Sequence, residues 1–161
     1  MAASSGTKTA WGALEAGFQA LGVPYAQDLQ TLQAYSQDLW PRKLLEMRRR
    51  GAPGEPQVDV VAWPESTAQV SALVKWAGTQ GVALFPYGAG SGVCGAAIAG
   101  GSRVRVLVDM KRMRALRSVD RESMTIWAEV GWIGENLERE LNSQGLTLGH
   151  FPSSIYCSSL G

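Results

Sequence analysis

Eight of the 19 glycines in this 161-residue chain fall between Gly78 and Gly101, and that crowding restricts the fold more than any other feature. Glycine suits backbone that must turn left-handed or approach a ligand closely, so a cluster of it marks a site. The segment Pro86 to Gly95 (PYGAGSGVCG) follows the apolar run Val82 to Phe85, which reads as a strand. Upstream, Val58, Val60, Val61 and Trp63 form a β-branched run that stops at Pro64, a second buried strand. Between the two, Ser66 is a good N-cap, and Gln69 three residues later predicts a reciprocal capping box. Val70, Leu73, Val74 and Ala77 supply a helical stripe, and Gly81 offers the left-handed stop. Residues 58–85 therefore read as a βαβ unit. The glycine loop leaves the carboxyl end of its second strand, the edge where ligands of such sheets collect.

Residues 1–50 carry helical periodicity, with Trp11, Leu14, Phe18 and Leu21 on one stripe and Leu44, Leu45 and Met47 recurring after Pro41. Gly51 to Pro56 breaks that pattern, which divides the chain into a helical segment and linker, 1–56, and a main domain, 57–161. Downstream, Val104 to Asp109 and Met124 to Glu129 predict strands, and Ile133 to Gln144 a helix. In that helix Ile133, Leu137 and Leu141 share a face, Glu135 pairs with Arg139, and Gly145 is the stop.

A net charge of +1 gives no footprint for nucleic acid, and Arg48-Arg49-Arg50 reads as the solvated end of a helix. Cys94 and Cys157 lack CxxC spacing, which argues against a metal centre and a disulfide scaffold. The N-terminus lacks the pattern of a secretory signal. The uncharged stretch Gly81 to Ser102 holds seven glycines and Pro86, a poor bilayer helix, so a cytoplasmic protein without a membrane span is expected.

Glycines at 88, 90, 92 and 95 let successive backbone N–H groups converge on phosphate oxygens. A Walker loop is excluded because no Gly-Lys-Ser/Thr follows. Gly90 to Gly95 does match G-x-G-x-x-G, with Asp109 about twenty residues on, as a dinucleotide fingerprint asks. That fingerprint must open a crossover helix, and only Ala96 to Ser102 separates the loop from the next strand. An NAD-binding Rossmann-like or non-catalytic nucleotide module is the alternative reading.

From Asp59 onward the chain resembles the FAD-linked oxidases, the vanillyl-alcohol oxidase or PCMH-type superfamily. The matching pieces come in order: Val61 to Ser66, the loop Pro86 to Ser91, Leu107 to Met110, Ala128 to Gly131, Leu137 to Leu141, and Gly149-His150-x-Pro152-x-Ser154. The last piece is most similar to the alkyldihydroxyacetone-phosphate synthase branch, then to the glycolate oxidase and D-lactate dehydrogenase branch. The resemblance implies an α+β, PCMH-type FAD-binding fold and a flavin-dependent enzyme. Its reaction would be either exchange of an acyl group for a fatty alcohol or oxidation of a 2-hydroxy acid.

The resemblance also implies that Pro86, Tyr87, Gly88, Ala89, Gly90, Ser91 and Gly92 hold the cofactor's pyrophosphate. A second segment, Pro152, Ser153, Ser154, Ile155, Tyr156, Cys157 and Ser158, would lie near the flavin. Ser91 stands where some relatives carry the histidine that bonds FAD covalently, which implies a non-covalent cofactor. The sequence ends within that second segment, so it reads as a truncated piece whose small-molecule substrate is bound by a later cap domain. His150, the only histidine, is a candidate for proton transfer. Cys94 reads as a small buried residue, and Trp63, Trp127 and Trp132 as core aromatics.

Overall fold

A computed structural model describes residues 3–51, 55–95, 101 and 103–161. Four strands form one mixed sheet in the order β1-β2-β4-β3: β1 (Tyr25–Ala26), β2 (Val60–Ala62), β3 (Ala83–Tyr87) and β4 (Arg105–Asp109). The strands β2, β4 and β3 run parallel, and β1 is antiparallel to β2. Residues 58–85 form the expected βαβ unit, with β4 inserted between its two strands.

Period-two alternation explains why the parallel strands read as continuous apolar runs: successive side chains enter opposite faces, and both faces are covered. On one face Val60, Ala62, Val106 and Val108 join Leu73 and Ala77 of α4 (Thr67–Gln80) and Trp11 and Phe18 of α1 (Ala3–Gln19). Phe18 meets Trp11, Tyr25 and Trp76 edge-on, each at 5.2 Å. On the other face Val58, Val61, Leu107 and Tyr87 pack with Leu32, Tyr35, Trp63 and Phe85. Two short helices, α2 (Leu29–Ala34) and α3 (Pro41–Arg50), precede β2. The three arginines lie exposed in the last turn of α3, where cations oppose the negative end of the dipole.

The caps hold with one change. Ser66 accepts from the Gln69 N–H at 3.3 Å, but Gln69 Oε1 accepts from the Glu65 N–H at 2.7 Å, one residue beyond the reciprocal box. Its Nε2 donates to the Gly22 carbonyl at 2.9 Å, so the cap also ties α4 to the turn after α1. Gly81 ends α4 at φ +67°, as the left-handed stop requires.

Beyond β4, a 3-10 turn (Met110–Arg112) leads into an antiparallel pair, β5 (Leu116–Asp120) and β6 (Thr125–Ala128), then α5 (Gly134–Ser143). This pair has an open face, and Trp127 on β6 is 73% exposed, contrary to a core role. Residues 52–54, 96–100 and 102 lie outside the described residues, and with them most of the connection on which the exclusion of a dinucleotide fingerprint rests. Residues 91–95, which carry the end of that pattern, are not helical. No helix among the described residues is long and apolar enough to cross a membrane, and no cluster among them could hold a metal ion.

Candidate functional site

Pro86 and Tyr87 close β3, and the loop begins where that strand runs off the edge of the sheet. Tyr87 is buried beneath the loop. Gly90 stands at φ +71°, and a side chain there would overlap the Tyr87 hydroxyl and lie 2.7 Å from its Cζ. A side chain at Gly88 would overlap Ser159 Oγ and stand 2.8 Å from the Gly161 carbonyl oxygen. Glycine is required at both positions, at 90 by conformation and space and at 88 by space alone. None of the backbone N–H groups from Gly88 to Gly95 donates to an acceptor among the described residues. Such groups are rarely left without partners when half-buried, as Gly88 to Ser91 are, so the loop presents a row of free donors.

The second segment is folded onto the start of α5. Its turn is closed by Ile155 N–H to Pro152, and by Cys157 and Ser158 N–H to Ser154. The first amides of α5, which lack a side-chain cap, donate to this segment instead: Gly134 N–H to Ser158 O at 3.0 Å and Glu135 N–H to Ile155 O at 2.9 Å. Gly134 is again a matter of space, since a Cβ there would lie 2.8 Å from Ile155 Cγ1. Ile133 bridges Ser159, and the Leu160 and Gly161 N–H groups donate to Trp132 and Val130.

These constraints carry the second segment to the glycine loop. Ser91 Oγ and Ser158 Oγ are 2.7 Å apart, a hydrogen bond across 67 residues of sequence. The two segments singled out from the sequence thus meet in one candidate site. Pro152, Ser153 and Tyr156 are exposed, while Ser154, Ile155 and Cys157 are half-buried in the turn. His150 is exposed and forms no hydrogen bond among the described residues. Cys94 is exposed rather than buried, because the far end of the loop lies at the surface.

Several residues of the site lie outside the two segments singled out from the sequence. Asp109, 1% exposed, ends β4 and accepts at both oxygens: Lys111 N–H on Oδ1 at 2.9 Å, and Tyr35 Oη at 2.6 Å, Trp63 Nε1 at 3.1 Å and Lys111 Nζ at 2.9 Å on Oδ2. Lys111 Nζ also donates to the Gly88 carbonyl oxygen at 3.0 Å and lies over the rings of Tyr35 and Tyr87. Burial and then the Asp109 hydrogen bond push the Tyr35 phenol up to about 12. Burial, with the charges of Asp109 and Asp38, raises Tyr87. Both phenols therefore stay neutral at ordinary pH. Asp38 is buried against the loop, with Oδ1 accepting from Trp40 N–H and Oδ2 unpartnered. Leu39 N–H donates to Gly92 O at 2.9 Å, and a Cβ at Gly95 would press on the Trp40 ring at 2.9 Å. Asp38, Leu39 and Trp40 came to the site unannounced, since they lie between helices and about fifty residues before the loop.

Free amides, no side-chain bulk over Gly88 and Gly90, and a lysine at the loop's base match the needs of a diphosphate, whose oxygens accept from N–H groups and carry negative charge. A model of the FAD binding domain matches residues 58–161. The alkyldihydroxyacetonephosphate synthase of Caenorhabditis elegans is 33% identical over 120 residues, 73% of this chain and 20% of that protein. The D-2-hydroxyglutarate dehydrogenase of Stutzerimonas stutzeri is 28% identical over 120 residues, 74% of this chain and 23% of that protein. A solved alkyldihydroxyacetonephosphate synthase superposes with a TM-score of 0.79 at 32% identity, covering 85% of this chain and 25% of its own. This chain thus spans about a fifth of the length of the curated relatives it matches. The glycine loop, the segment that meets it at Ser158 and the α+β scaffold between them all lie within the matched residues, and this chain belongs to the FAD-binding domain family.

Proposed function

We propose that residues 57–161 hold FAD non-covalently, with Pro86 to Gly92 around the pyrophosphate and Pro152 to Ser158 against the flavin. Residues 1–56 serve in this reading as a helical support. The observation that carries it is the 2.7 Å contact of Ser91 with Ser158, which draws the second segment beside a loop whose N–H groups are free. A serine hydroxyl at the loop's centre is a hydrogen-bond donor and no imidazole nucleophile, which supports reversible binding. The flavin, when bound, supplies the chemistry at its isoalloxazine ring, and the protein's residues supply position and electrostatics.

The whole protein's activity follows the more similar relatives: exchange of an acyl group on a dihydroxyacetone phosphate ester for a fatty alcohol. The similarity to a D-2-hydroxyglutarate dehydrogenase favours a second reading, oxidation of a 2-hydroxy acid. Titrating the purified chain with FAD tests the cofactor assignment, and heat release separates reversible from covalent binding. Saturable flavin quenching with FAD recovered in the filtrate is expected. Binding of NAD with no response to FAD would refute it. Offering the FAD-loaded whole protein, with its downstream domain, an acyl-dihydroxyacetone phosphate with a fatty alcohol, and separately a 2-hydroxy acid with a dye acceptor, decides between the activities.

A further inference from the structure

Tyr87 of β3 is paired in register with Asp109 of β4, so the first loop residue, Gly88, emerges directly beside the turn that follows Asp109. That turn is closed by the Asp109 side chain on the Lys111 N–H, which curls the lysine back over its own carboxylate. The ammonium is then held from four sides. It has an ion pair to Asp109 at 2.9 Å, a hydrogen bond to the Gly88 carbonyl at 3.0 Å, and the Tyr87 and Tyr35 rings at 4.9 and 5.3 Å. Asp109 is itself fixed by Tyr35 and Trp63, so the lysine has a rigid base.

The carbonyl of Gly88 and the N–H of Ala89 belong to one peptide unit. In a planar trans peptide they point in opposite directions. Holding the Gly88 oxygen toward Lys111 therefore turns the Ala89 N–H away from it. That N–H finds no acceptor among the described residues, and the neighbouring ones at Gly88, Gly90 and Ser91 are equally free. We propose that Lys111 is a positioning residue for the cofactor loop: by gripping the Gly88 carbonyl it presets the Ala89 N–H as a donor to a phosphate oxygen. This rests on the FAD reading above and goes beyond it by naming the group that orients the loop. Tyr35, which lies before the family match begins, acts through Asp109 to keep the lysine in place.

The test uses the full 161-residue chain with ADP and FAD as probes and compares Lys111→Met, Lys111→Arg and Arg114→Met. Arg114 is an exposed cation that lines one cleft with Lys111, Asp109, Tyr35 and Trp63. Expected is a dissociation constant at least about 10-fold weaker for both ADP and FAD in Lys111→Met, equivalent to about 1.4 kcal/mol. Partial rescue is expected in Lys111→Arg, and no more than a twofold change in Arg114→Met. In the ligand-free protein, the Ala89 amide resonance should shift in Lys111→Met while the helical amides of α4 stay in place. That readout stands whether or not a variant still binds nucleotide. Equal losses in Lys111→Met and Arg114→Met would show general charge attraction and overturn the positioning role. Unchanged affinity and an unmoved Ala89 resonance in Lys111→Met would overturn it too. If the unsubstituted chain binds neither ADP nor FAD, the cofactor reading fails first and takes this inference with it.

Discussion

Gly131→Ala should destabilise the fold severely, although alanine is among the smallest possible changes. Gly131 sits in the Ala128 to Gly131 motif, where the chain crosses over the 3-10 turn. A Cβ there would overlap the Met110 carbonyl oxygen and lie 2.6 Å from Met113 O and 2.8 Å from Lys111 Cα, where ordinary contact begins near 3.4 Å. All three are backbone atoms, so no side chain can swing aside. Relief requires separating the two segments, which strains the Gly131 N–H to Met113 O bond at 2.8 Å and the Met113 N–H to Met110 O bond at 2.9 Å. Overpacking costs about 1–3 kcal/mol and each weakened hydrogen bond about 0.5–1.5, so about 3 kcal/mol is expected in all. For a chain of this size that lowers Tm by about 6–12 °C. Gly78→Ala is the control: it is exposed on α4 with nothing within 4 Å of an added Cβ, and should gain about 0.5–1 kcal/mol. Urea denaturation followed by tryptophan fluorescence and circular dichroism measures both, with equal m-values confirming a common transition. A Gly131→Ala protein within 1 kcal/mol of the unsubstituted chain would refute the claim that backbone contact dictates this glycine.

Asp109→Asn should cost about 3 kcal/mol, because a buried carboxylate that accepts four hydrogen bonds is replaced by a group that cannot neutralise Lys111. A urea midpoint within error of the unsubstituted chain would contradict the network. Ser91→Ala and Ser158→Ala should each weaken FAD binding, and the double variant should be no weaker than the worse single, because each removes the same contact. Additive losses in a fluorescence titration would show that the two serines act separately. Acid should destabilise the fold through two carboxylates held below their ordinary range: Glu138, chiefly by the Leu148 N–H and then Thr147, and Glu129, chiefly by the Ala115 N–H and also by its ion pair with Arg117. Because their folded values are depressed, the stability they give is complete above about pH 4.5 and lost as pH falls through those lower values. Glu138→Gln should therefore be less stable than the unsubstituted chain at pH 7 and approach it as pH falls through the depressed folded value. A pH-independent gap would refute the assignment.

The parallel strands, α4, α5 and the glycine loop are legible because each is bounded by residues with one strong local preference: Pro64, Ser66, Gly81 and Gly145. What stayed illegible has physical causes. Strand β1 is two residues long, too short for any period to show. Strand β5 has only two half-buried apolar residues, Leu116 and Val119, set three apart across a register shift, so no period of two shows. Trp127 reads as a core aromatic yet lies exposed, because residue type does not reveal whether a sheet face is covered. At the site, the glycines announced the loop, but its partners did not announce themselves. Tyr35 and Asp109 meet across 74 residues, and Lys111 reaches Gly88 across 23. Nothing local in sequence encodes such pairs, which depend on the strand order β2-β4-β3 and on register.

That strand order also explains why residues outside the matched domain reach the site. β3 is an edge strand of the described sheet, so the loop leaving it has a strand neighbour on one side only, β4. An unsupported glycine-rich loop would sample many conformations, and its ordering would oppose cofactor binding. Support also comes from the N-terminal segment: Tyr35 packs on Tyr87 at 5.1 Å, Leu39 N–H takes the Gly92 carbonyl, and Trp40 lies against Gly95. From the β4 side, Lys111 takes the Gly88 carbonyl. Two carbonyls, four residues apart, are thus held by protein donors, while the N–H groups between them have no protein acceptor among the described residues. A loop fixed by its oxygens and free at its nitrogens can receive a diphosphate with little further ordering.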